Sequence, residues 1–206
     1  SGAVYGKQPA DLTHIPEEYS GAIDVTDPAL AFVEGKRVAE LLCLHYSRQY
    51  GIEGKVFRGF TFVGPYLPLD IHYAIGNFIR DAIRGRPIQV KGDGTPYRSY
   101  LYAADAVIWL WTMLCRGEAG RIYNMGSEED LTIAEVAARV AEVIEPPVAV
   151  RIAGRPDPGK PPERYVPSTR RARMELGIKQ YIDVPEAIRR TIRWYSAKAG
   201  AEVISR

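Results

Sequence analysis

The chain has 206 residues, enough to bury a sizeable core, and its composition is that of an ordinary globular protein, with 46% hydrophobic and 25% charged residues. Its net charge is +2 and it contains no basic run or nucleic-acid motif, so we expect no nucleic-acid partner. No run of about 18 apolar residues occurs and the first residues lack a signal-peptide pattern, so we expect no membrane span.

Helical and strand patterns alternate in the first half of the chain. Asp27 followed by Pro28 is a typical helix start, with the aspartate as N-cap, and Gly51 predicts the end of a helix over 28–50. Apolar spacing predicts a second helix over 70–84. The other expected elements are a loop over 7–26, a strand over 55–60, a turn over 64–66 and a strand over 88–90.

The same alternation continues to the end of the chain. Thr132 with Glu135 three residues later forms a capping-box pattern, which predicts a helix start. A segment rich in Pro, Gly, Lys and Arg over 153–168 is typical of a binding loop. The remaining expected elements are strands over 97–102, 121–124 and 148–152, and helices over 103–115, 169–176 and 185–198. Alternating helices and strands favour the α/β class.

The cysteines and histidines give no sign of a disulfide or a metal site. Cys43 and Cys115 both lie in apolar helical patterns, so we expect two buried thiols in a reducing cytoplasm. The histidines, His14, His45 and His72, are scattered without ligand spacing, so no metal is expected.

Two segments carry a resemblance to a known family. They are S-G-A-V-Y-G, from Ser1 to Gly6, and F-V-E-G-K-R-V-A-E, from Phe32 to Glu40. Together they resemble the catalytic part of extended short-chain dehydrogenase/reductases, in the NAD-dependent sugar-nucleotide epimerase/dehydratase group. That family has a Ser or Thr five residues before the Gly of V-Y-G, and a helix with Tyr-x-x-x-Lys. Ser1 and Lys36 fit this pattern, whereas Phe32 stands at the position of the tyrosine.

The resemblance implies a mechanism and identifies a departure from it. In the family, the tyrosine exchanges a proton with a sugar hydroxyl while NAD takes a hydride from the same carbon. The lysine lowers the tyrosine pKa and holds the nicotinamide ribose, and the serine hydroxyl bonds the same sugar oxygen. Phe32 and Lys36, four residues apart, share a helix face, but phenylalanine carries no proton. We therefore expect the rate to be reduced by roughly 10²–10⁴-fold.

Further motifs continue the resemblance along the chain. Arg58-Gly59-Phe60-Thr61 resembles R-x-F-N, which places Phe60 near the cofactor and Thr61 where the family Asn binds the substrate. The segment from Gly92 to Asp105 is similar to G-x-G-x-x-x-R-x-[FYW]-x-[YH]-x-x-D. In that motif Arg98 is the phosphate ligand, and a guanidinium fork suits a diphosphate. Asp105 is expected either to cap the next helix or to serve the site.

Two more candidate substrate contacts lie later in the sequence. Asn124 belongs to Y-N-M-G, which resembles a family strand end that faces the substrate. Arg155 belongs to R-P-D-P-G, which resembles a family loop whose arginine reaches phosphate or ribose.

The implied fold is the C-terminal part of a Rossmann-type doubly wound parallel sheet with a smaller α/β substrate-binding lobe. Residues 1–64 would end the Rossmann-type domain and carry the catalytic helix. Residues 65–206 would form mainly the substrate lobe, with possible returns to the sheet. The sequence has no G-x-x-G-x-x-G after a strand, so a nucleotide-binding half of on the order of 100 residues is expected before Ser1.

The precise reaction stays open at this point. The segment Glu34 to Glu40 is most similar to the UDP-glucuronate decarboxylase branch. That branch and the 4,6-dehydratases carry acidic residues where this chain has Gly2 and Ala3, and small residues there suit an epimerase better. A third alternative is a sugar-nucleotide-binding protein without catalysis, which Phe32 favours.

We also expect a homodimer. Family members commonly dimerise through the Tyr-x-x-x-Lys helix, which is the helix over 28–50 here. That helix carries an apolar stripe beyond the residues that face the site, formed by Val38, Leu41, Leu42 and His45.

Overall fold

The computed structural model describes residues 1–21, 23–24, 26–71 and 73–204, with side chains up to residue 197. His72 and part of the predicted 7–26 loop, residues 22 and 25, lie outside the described residues.

The α-helices are α1 (Ala31–Tyr50), α2 (Ala74–Ile83), α3 (Ala103–Arg116), α4 (Ile133–Val143), α5 (Arg170–Leu176) and α6 (Val184–Ile204), and 3-10 helices cover Gly2–Tyr5 and Pro28–Leu30. The strands are β1 (Val56–Gly59), β2 (Phe62–Val63), β3 (Ile88–Val90), β4 (Tyr97–Arg98), β5 (Leu101–Tyr102), β6 (Ile122–Met125), β7 (Leu131–Thr132), β8 (Val150–Ile152) and β9 (Arg164–Tyr165).

Parallel pairing between distant parts of the chain organises the strands. β1 pairs with β6 from Val56 opposite Ile122 to Gly59 opposite Met125, and β2 with β5 and β3 with β8 are also parallel. β4 lies between β7, which is antiparallel to it, and β9, which is parallel to it. The fold is therefore mixed α/β, and the β1–β6 pair joins residues before and after position 64 in one sheet.

Most of the buried apolar residues in the described part of the chain form three clusters. The largest lies where α2, α4 and α6 pack around β3, and the second lies between α3, α5 and β6. A small third cluster joins Val4 and Tyr5 of the first 3-10 helix to Ile15 and Phe60. This third cluster holds the start of the chain against the end of β1.

The helix ends follow the capping residues that the sequence contains. The Asp27 carboxylate accepts a hydrogen bond of 2.9 Å from the Ala29 N–H, and Gly51 ends α1 in the left-handed region at φ 68°. The first turn after Asp27 is a 3-10 turn, so α1 itself begins at Ala31. The predicted Thr132–Glu135 capping box is present at α4.

Two elements are shorter in the structure than the sequence predicts. The helix expected over 70–84 begins only at Ala74, because the backbone of Tyr73, its N-cap, is extended. The strand expected over 97–102 is two strands, since β4 and β5 belong to different sheets and Ser99-Tyr100 lies between them.

Asp105 neither caps α3 nor faces the site. Tyr102 is the N-cap of α3, and Asp105 is buried in its first turn. The Asp105 carboxylate accepts hydrogen bonds from the backbone N–H groups of Tyr181 and Ile182, at 3.1 and 2.9 Å. It therefore fixes α3 to the segment that leads into α6.

One face of α3 is apolar and exposed. An apolar groove of about 410 Å³ lies between this helix and β1. Trp109 points inward, and its indole N–H donates to the Lys179 carbonyl at 3.0 Å, whereas Trp111 is 64% exposed on the groove. Cys115 is also exposed on α3 and Cys43 on α1 is only half-buried, so the expectation of two buried thiols was wrong.

None of the helices in the described part of the chain combines the length and apolar character that crossing a bilayer requires.

Candidate functional site

A cavity of about 550 Å³ lies where the start of the chain, α1, the β1–β2 link and β4 meet. Five of the eight residues selected from the sequence line it: Ser1, Phe32, Phe60, Thr61 and Arg98. These residues come from four separate segments of the chain. The sequence motifs suggested that they lie close together, and the fold brings them to one cavity.

Ser1 and the first 3-10 helix form one wall. The Ser1 side-chain oxygen caps this helix by accepting a hydrogen bond of 3.3 Å from the Ala3 N–H. The hydroxyl hydrogen remains free to be donated into the cavity, because a hydroxyl is both acceptor and donor. Gly2 is buried directly behind it.

The space around Gly2 is filled by two aromatic side chains. A Cβ atom at this position would lie 2.5 Å from the Tyr165 hydroxyl and 2.9 Å from the Phe60 ring. Any side chain at position 2 would therefore displace Tyr165 or Phe60, both of which line the cavity. The cavity as built requires glycine here.

The helix α1 presents Phe32 and Lys36 one turn apart. The Lys36 ammonium lies 5.3 Å from the centre of the Phe32 ring, a cation–π distance. Phe32 borders the cavity but is 63% exposed, because nothing in the described chain covers this end of α1. Lys36 is exposed beside it and does not line the cavity.

A buried ion pair holds α1 against the sheet. The Arg58 guanidinium donates to the Glu40 carboxylate at 2.8 to 3.2 Å, and the two side chains are only 12% and 13% exposed. The guanidinium also stacks 4.6 Å from the centre of the Tyr5 ring. The motif around Arg58 gives no role to this side chain, whereas the structure shows that it joins β1 to the helix that carries Phe32 and Lys36.

Asn124 is placed away from the cavity. Its side-chain oxygen accepts from the Tyr5 hydroxyl at 2.8 Å, and its amide nitrogen donates to the carbonyls of Ile15 and Ser168 at 2.8 and 3.1 Å. Both hydrogens of the amide are used, so the side chain fastens loop segments to the end of β6. The structure does not bring Asn124 to the other selected residues.

Arg155 is also separate from the cavity. It is exposed on the loop that follows β8 and is not among the residues that line the cavity.

The cavity contains phenols that the motifs did not single out. Tyr100 is 2% exposed, and burial raises its pKa to about 12. Burial also raises the pKa of Tyr165, which pairs with Arg98 across β4 and β9. Both phenols are therefore protonated at neutral pH and act as hydrogen-bond donors. Tyr100 occupies the aromatic position of the motif around Arg98, but its burial could not be read from the sequence.

The side-chain charge in the cavity wall is positive. Arg98 is the charged residue in its wall, and the described residues that line it include no carboxylate. The Arg98 Nη1 donates to the Tyr97 carbonyl at 2.8 Å, which leaves the rest of the guanidinium fork for another acceptor. The arrangement favours a ligand with an anionic group.

A second, larger groove adjoins the cavity. It has a volume of about 1020 Å³ and shares Ala74 and Ile133 with the cavity wall. Its other walls come from α2, β3 with its flanking turns, and β8. They carry charges of both signs, from Arg80, Arg86, Lys91, Arg151, Asp70, Asp81 and Asp93. Cavity and groove together suit an elongated ligand.

Comparisons with known proteins agree with these features. The model of the NAD dependent epimerase/dehydratase family matches residues 1–126. UDP-glucuronic acid decarboxylase 5 of Arabidopsis thaliana is 33% identical over 174 residues, which are 84% of this chain and 50% of that protein. The chain thus spans about half the length of this curated relative.

Solved structures show the same fold. An epimerase of Methanothermobacter thermautotrophicus is 27% identical with a TM-score of 0.79, covering 98% of this chain and 58% of that one. The dTDP-glucose 4,6-dehydratase of Bacillus anthracis in complex with NAD is 20% identical with a TM-score of 0.78, covering 97% of this chain and 61% of that one.

Proposed function

Because this chain belongs to the NAD-dependent epimerase/dehydratase family, we propose that it supplies the catalytic helix and substrate-binding part of a sugar-nucleotide epimerase/dehydratase, which acts by transient oxidation of the sugar at C4. The observation that carries the proposal is the single cavity that joins Ser1 and Phe32 to Arg98. In this assignment residues 1–64 end the Rossmann-type domain, and 65–206 form mainly the substrate lobe. The pairing of β6 with β1 supports a return of the later segment to the first sheet.

The ligand we assign is a nucleotide sugar. Its sugar would lie in the cavity beside Ser1 and Thr61, and its nucleotide would extend into the adjoining groove. Arg98 would bind the diphosphate, since a guanidinium fork matches phosphate oxygens. Arg155, exposed on its loop, is a further candidate for a phosphate or ribose contact.

Lys36 and Phe60 fit the nicotinamide end of NAD, the cofactor that the family uses. Lys36 is exposed and has no ion pair among the described residues, so its ammonium is available for the nicotinamide ribose, and Phe60 offers an apolar cavity wall. The sequence has no glycine-rich phosphate loop, so these residues alone do not hold the whole dinucleotide. NAD, when bound, takes a hydride from the sugar carbon.

The proton transfer that accompanies this oxidation is the step that the chain lacks. Ser1 can donate a hydrogen bond to the reacting sugar oxygen, but Phe32 cannot accept its proton. Tyr100 and Tyr165 do not replace the missing phenol as a base, because burial raises the pKa of both. Phe32 therefore favours a second candidate function, a sugar-nucleotide-binding protein with impaired catalysis.

A UDP-glucuronate decarboxylase-like activity is the enzymatic alternative. It is supported by the 33% identity to a UDP-glucuronic acid decarboxylase. The close contact between Gly2 and Tyr165 argues for epimerisation instead, since it leaves no room for an acidic side chain at position 2. The sugar product separates the two reactions.

We propose further that the full protein is a cytoplasmic homodimer. The free cysteines Cys43 and Cys115 fit a reducing compartment. Val38, Leu41 and Leu42 are exposed on α1, and a second copy of this helix would bury them.

The test is the change Phe32→Tyr in the full protein that the gene encodes. We expect turnover of UDP- or dTDP-sugars with NAD to rise by at least about 10²-fold, because the change restores the acid/base group. Phe32→Leu serves as the control and is expected to leave the low rate unchanged. Equal rates for the parent protein and its Phe32→Tyr variant would show that the proton is taken elsewhere.

A further inference from the structure

Tyr100 is a buried phenol whose hydroxyl has no assigned role. Its ring packs in the largest buried cluster with Val63 and Ile75, and the residue is 2% exposed. The same side chain lines the cavity beside Arg98, two residues earlier in the chain. Its hydroxyl makes no hydrogen bond to any other residue in the described part of the chain.

Polar atoms that are fully enclosed in a folded protein have a hydrogen-bond partner as a rule. In the described chain the enclosed side-chain atoms without a partner are Ser99 Oγ and Arg164 Nε, and the Tyr100 hydroxyl is not one of them, so it reaches the cavity and can bond a ligand there. Two other buried tyrosines bond within the chain: the Tyr5 hydroxyl donates to Asn124 at 2.8 Å, and the Tyr123 hydroxyl accepts from the Glu118 N–H at 3.3 Å. Tyr100 differs from them in that it faces the cavity beside Arg98.

The surroundings of this hydroxyl define the chemistry of its partner. Arg98 brings a positive charge, and Tyr165, opposite Arg98 in the β4–β9 pair, brings a second phenol whose hydroxyl has no hydrogen-bond partner among the described residues. A guanidinium and protonated phenols offer donors, and no carboxylate lines this cavity in the described chain. A sugar hydroxyl both donates and accepts, whereas a phosphate oxygen only accepts, so a set of donors fits a phosphate best.

We propose that Tyr100 is a ligand-binding residue whose hydroxyl donates a hydrogen bond to the same phosphate that Arg98 binds. This inference rests on the proposed function, which supplies the nucleoside diphosphate as ligand. Tyr100, at the aromatic position of the motif, then makes a polar contact with the ligand as well as packing in the core.

The test measures binding of UDP and dTDP to the full protein by calorimetry. Tyr100→Phe keeps the ring and removes only the hydroxyl, and we expect it to weaken binding of both by about tenfold, as for a hydrogen bond to a charged group. Binding of uridine, which has no phosphate, is expected to be unchanged. Tyr123→Phe is the matched control, because it removes a buried hydroxyl that does not line the cavity.

A double variant tests whether the two residues share one phosphate. In the Arg98→Ala background we expect Tyr100→Phe to have a smaller effect than alone, because residues that hold one group are coupled. Full additivity would assign Tyr100 to a different part of the ligand and overturn the proposal.

Stability of the free chain gives an independent readout. Removing a hydroxyl that has no partner should leave the unfolding temperature unchanged or raise it, whereas Tyr123→Phe should lower it. A Tyr100→Phe chain that is less stable than the parent, or that fails to fold, would show that the hydroxyl serves the protein itself.

The outcomes distinguish a wrong role for Tyr100 from a wrong proposed function. If Arg98→Ala weakens UDP binding but Tyr100→Phe does not, the role of Tyr100 is wrong and the proposed function stands. If the folded full protein binds neither UDP nor dTDP, the proposed function fails and this inference fails with it.

Discussion

At the scale of single residues, Gly2 shows how a cavity wall can determine a residue type. Its Cβ-less backbone allows the Tyr165 hydroxyl and the Phe60 ring to approach closely. The reason for glycine here is contact, since Gly2 is in a helical turn and its φ is not in the left-handed region.

The change Gly2→Ala tests this contact. We expect it to lower the free energy of unfolding by about 1–3 kcal/mol, the usual cost of overpacking, and to reduce the size of the cavity. Adding Tyr165→Phe should recover part of the loss, because it removes the nearest atom and leaves Phe60 in place. Urea unfolding monitored by circular dichroism measures both effects.

Gly35 offers the matched control. A Cβ atom there meets nothing within 4 Å, and the residue lies inside α1. Gly35→Ala should therefore stabilise the chain by roughly 0.5–1 kcal/mol. A Gly2→Ala chain as stable as Gly35→Ala would contradict the packing around Tyr165.

The residue scale also shows which residues motif reasoning could place near one another. Motifs keep their order along the chain, so Ser1, Thr61 and Arg98 could be placed near one another, and all three line the cavity. Asn124 could not be placed in this way, because its partners are Tyr5 of the first 3-10 helix and Ile15 of the following loop, and the sequence does not reveal the path of that loop.

At the scale of elements, α1 is held mainly by polar contacts, since none of its residues is buried. Arg37 donates hydrogen bonds to the carbonyls of Val4 and Ser20, at 3.2 and 2.8 Å. The Arg58–Glu40 pair, with side chains 12% and 13% exposed, is the ion pair that joins the middle of α1 to β1 and helps to set the position of Phe32 at the cavity.

We expect Arg58→Ala to destabilise the chain by about 3–5 kcal/mol, because it leaves the Glu40 carboxylate buried without a partner. The comparison is Arg190→Ala, which breaks an exposed pair with Glu186 on α6 and should cost less than about 1 kcal/mol. Denaturant unfolding of both variants measures the difference. Similar losses for the two would mean that the Arg58 pair is hydrated in solution.

Helix ends that carry a capping residue were predictable, whereas the uncapped start of α2 and the strand ends were not. Caps such as Asp27, Gly51 and Thr132 act on their own neighbours, so a local pattern locates them. The division of the expected 97–102 strand into β4 and β5 depends on which distant strands pair with each part, and β9 lies within a segment expected to be loop.

At the scale of the whole molecule, apolar surface remains on two sides. α1 exposes Val38, Leu41 and Leu42, and α3 exposes Trp111 and Leu114 beside the apolar groove. In addition, β1 is paired on one side only among the described strands. A patch of this kind on a small protein usually marks a contact surface, and an open strand edge favours association.

The change Leu41→Glu tests the proposed dimer in the full protein. A charge on the exposed face of α1 should convert a dimer to a monomer in sedimentation, with little effect on unfolding of the subunit, because Leu41 is exposed in the single chain. Met174→Glu, at an exposed apolar residue of α5, is the control and should leave the dimer intact. A parent protein that sediments as a monomer at all concentrations would contradict the homodimer.

The two tryptophans of α3 allow the covering of this surface to be followed by fluorescence. Trp109 is buried and Trp111 is 64% exposed, so they report on opposite faces of one helix. Whatever covers the α3 face must dehydrate the Trp111 indole, which moves its emission to shorter wavelength and shields it from a soluble quencher. The emission of Trp109 would hardly change. Comparing the chain with its Trp111→Phe variant would thus turn the coverage of this face into a signal that needs no added dye.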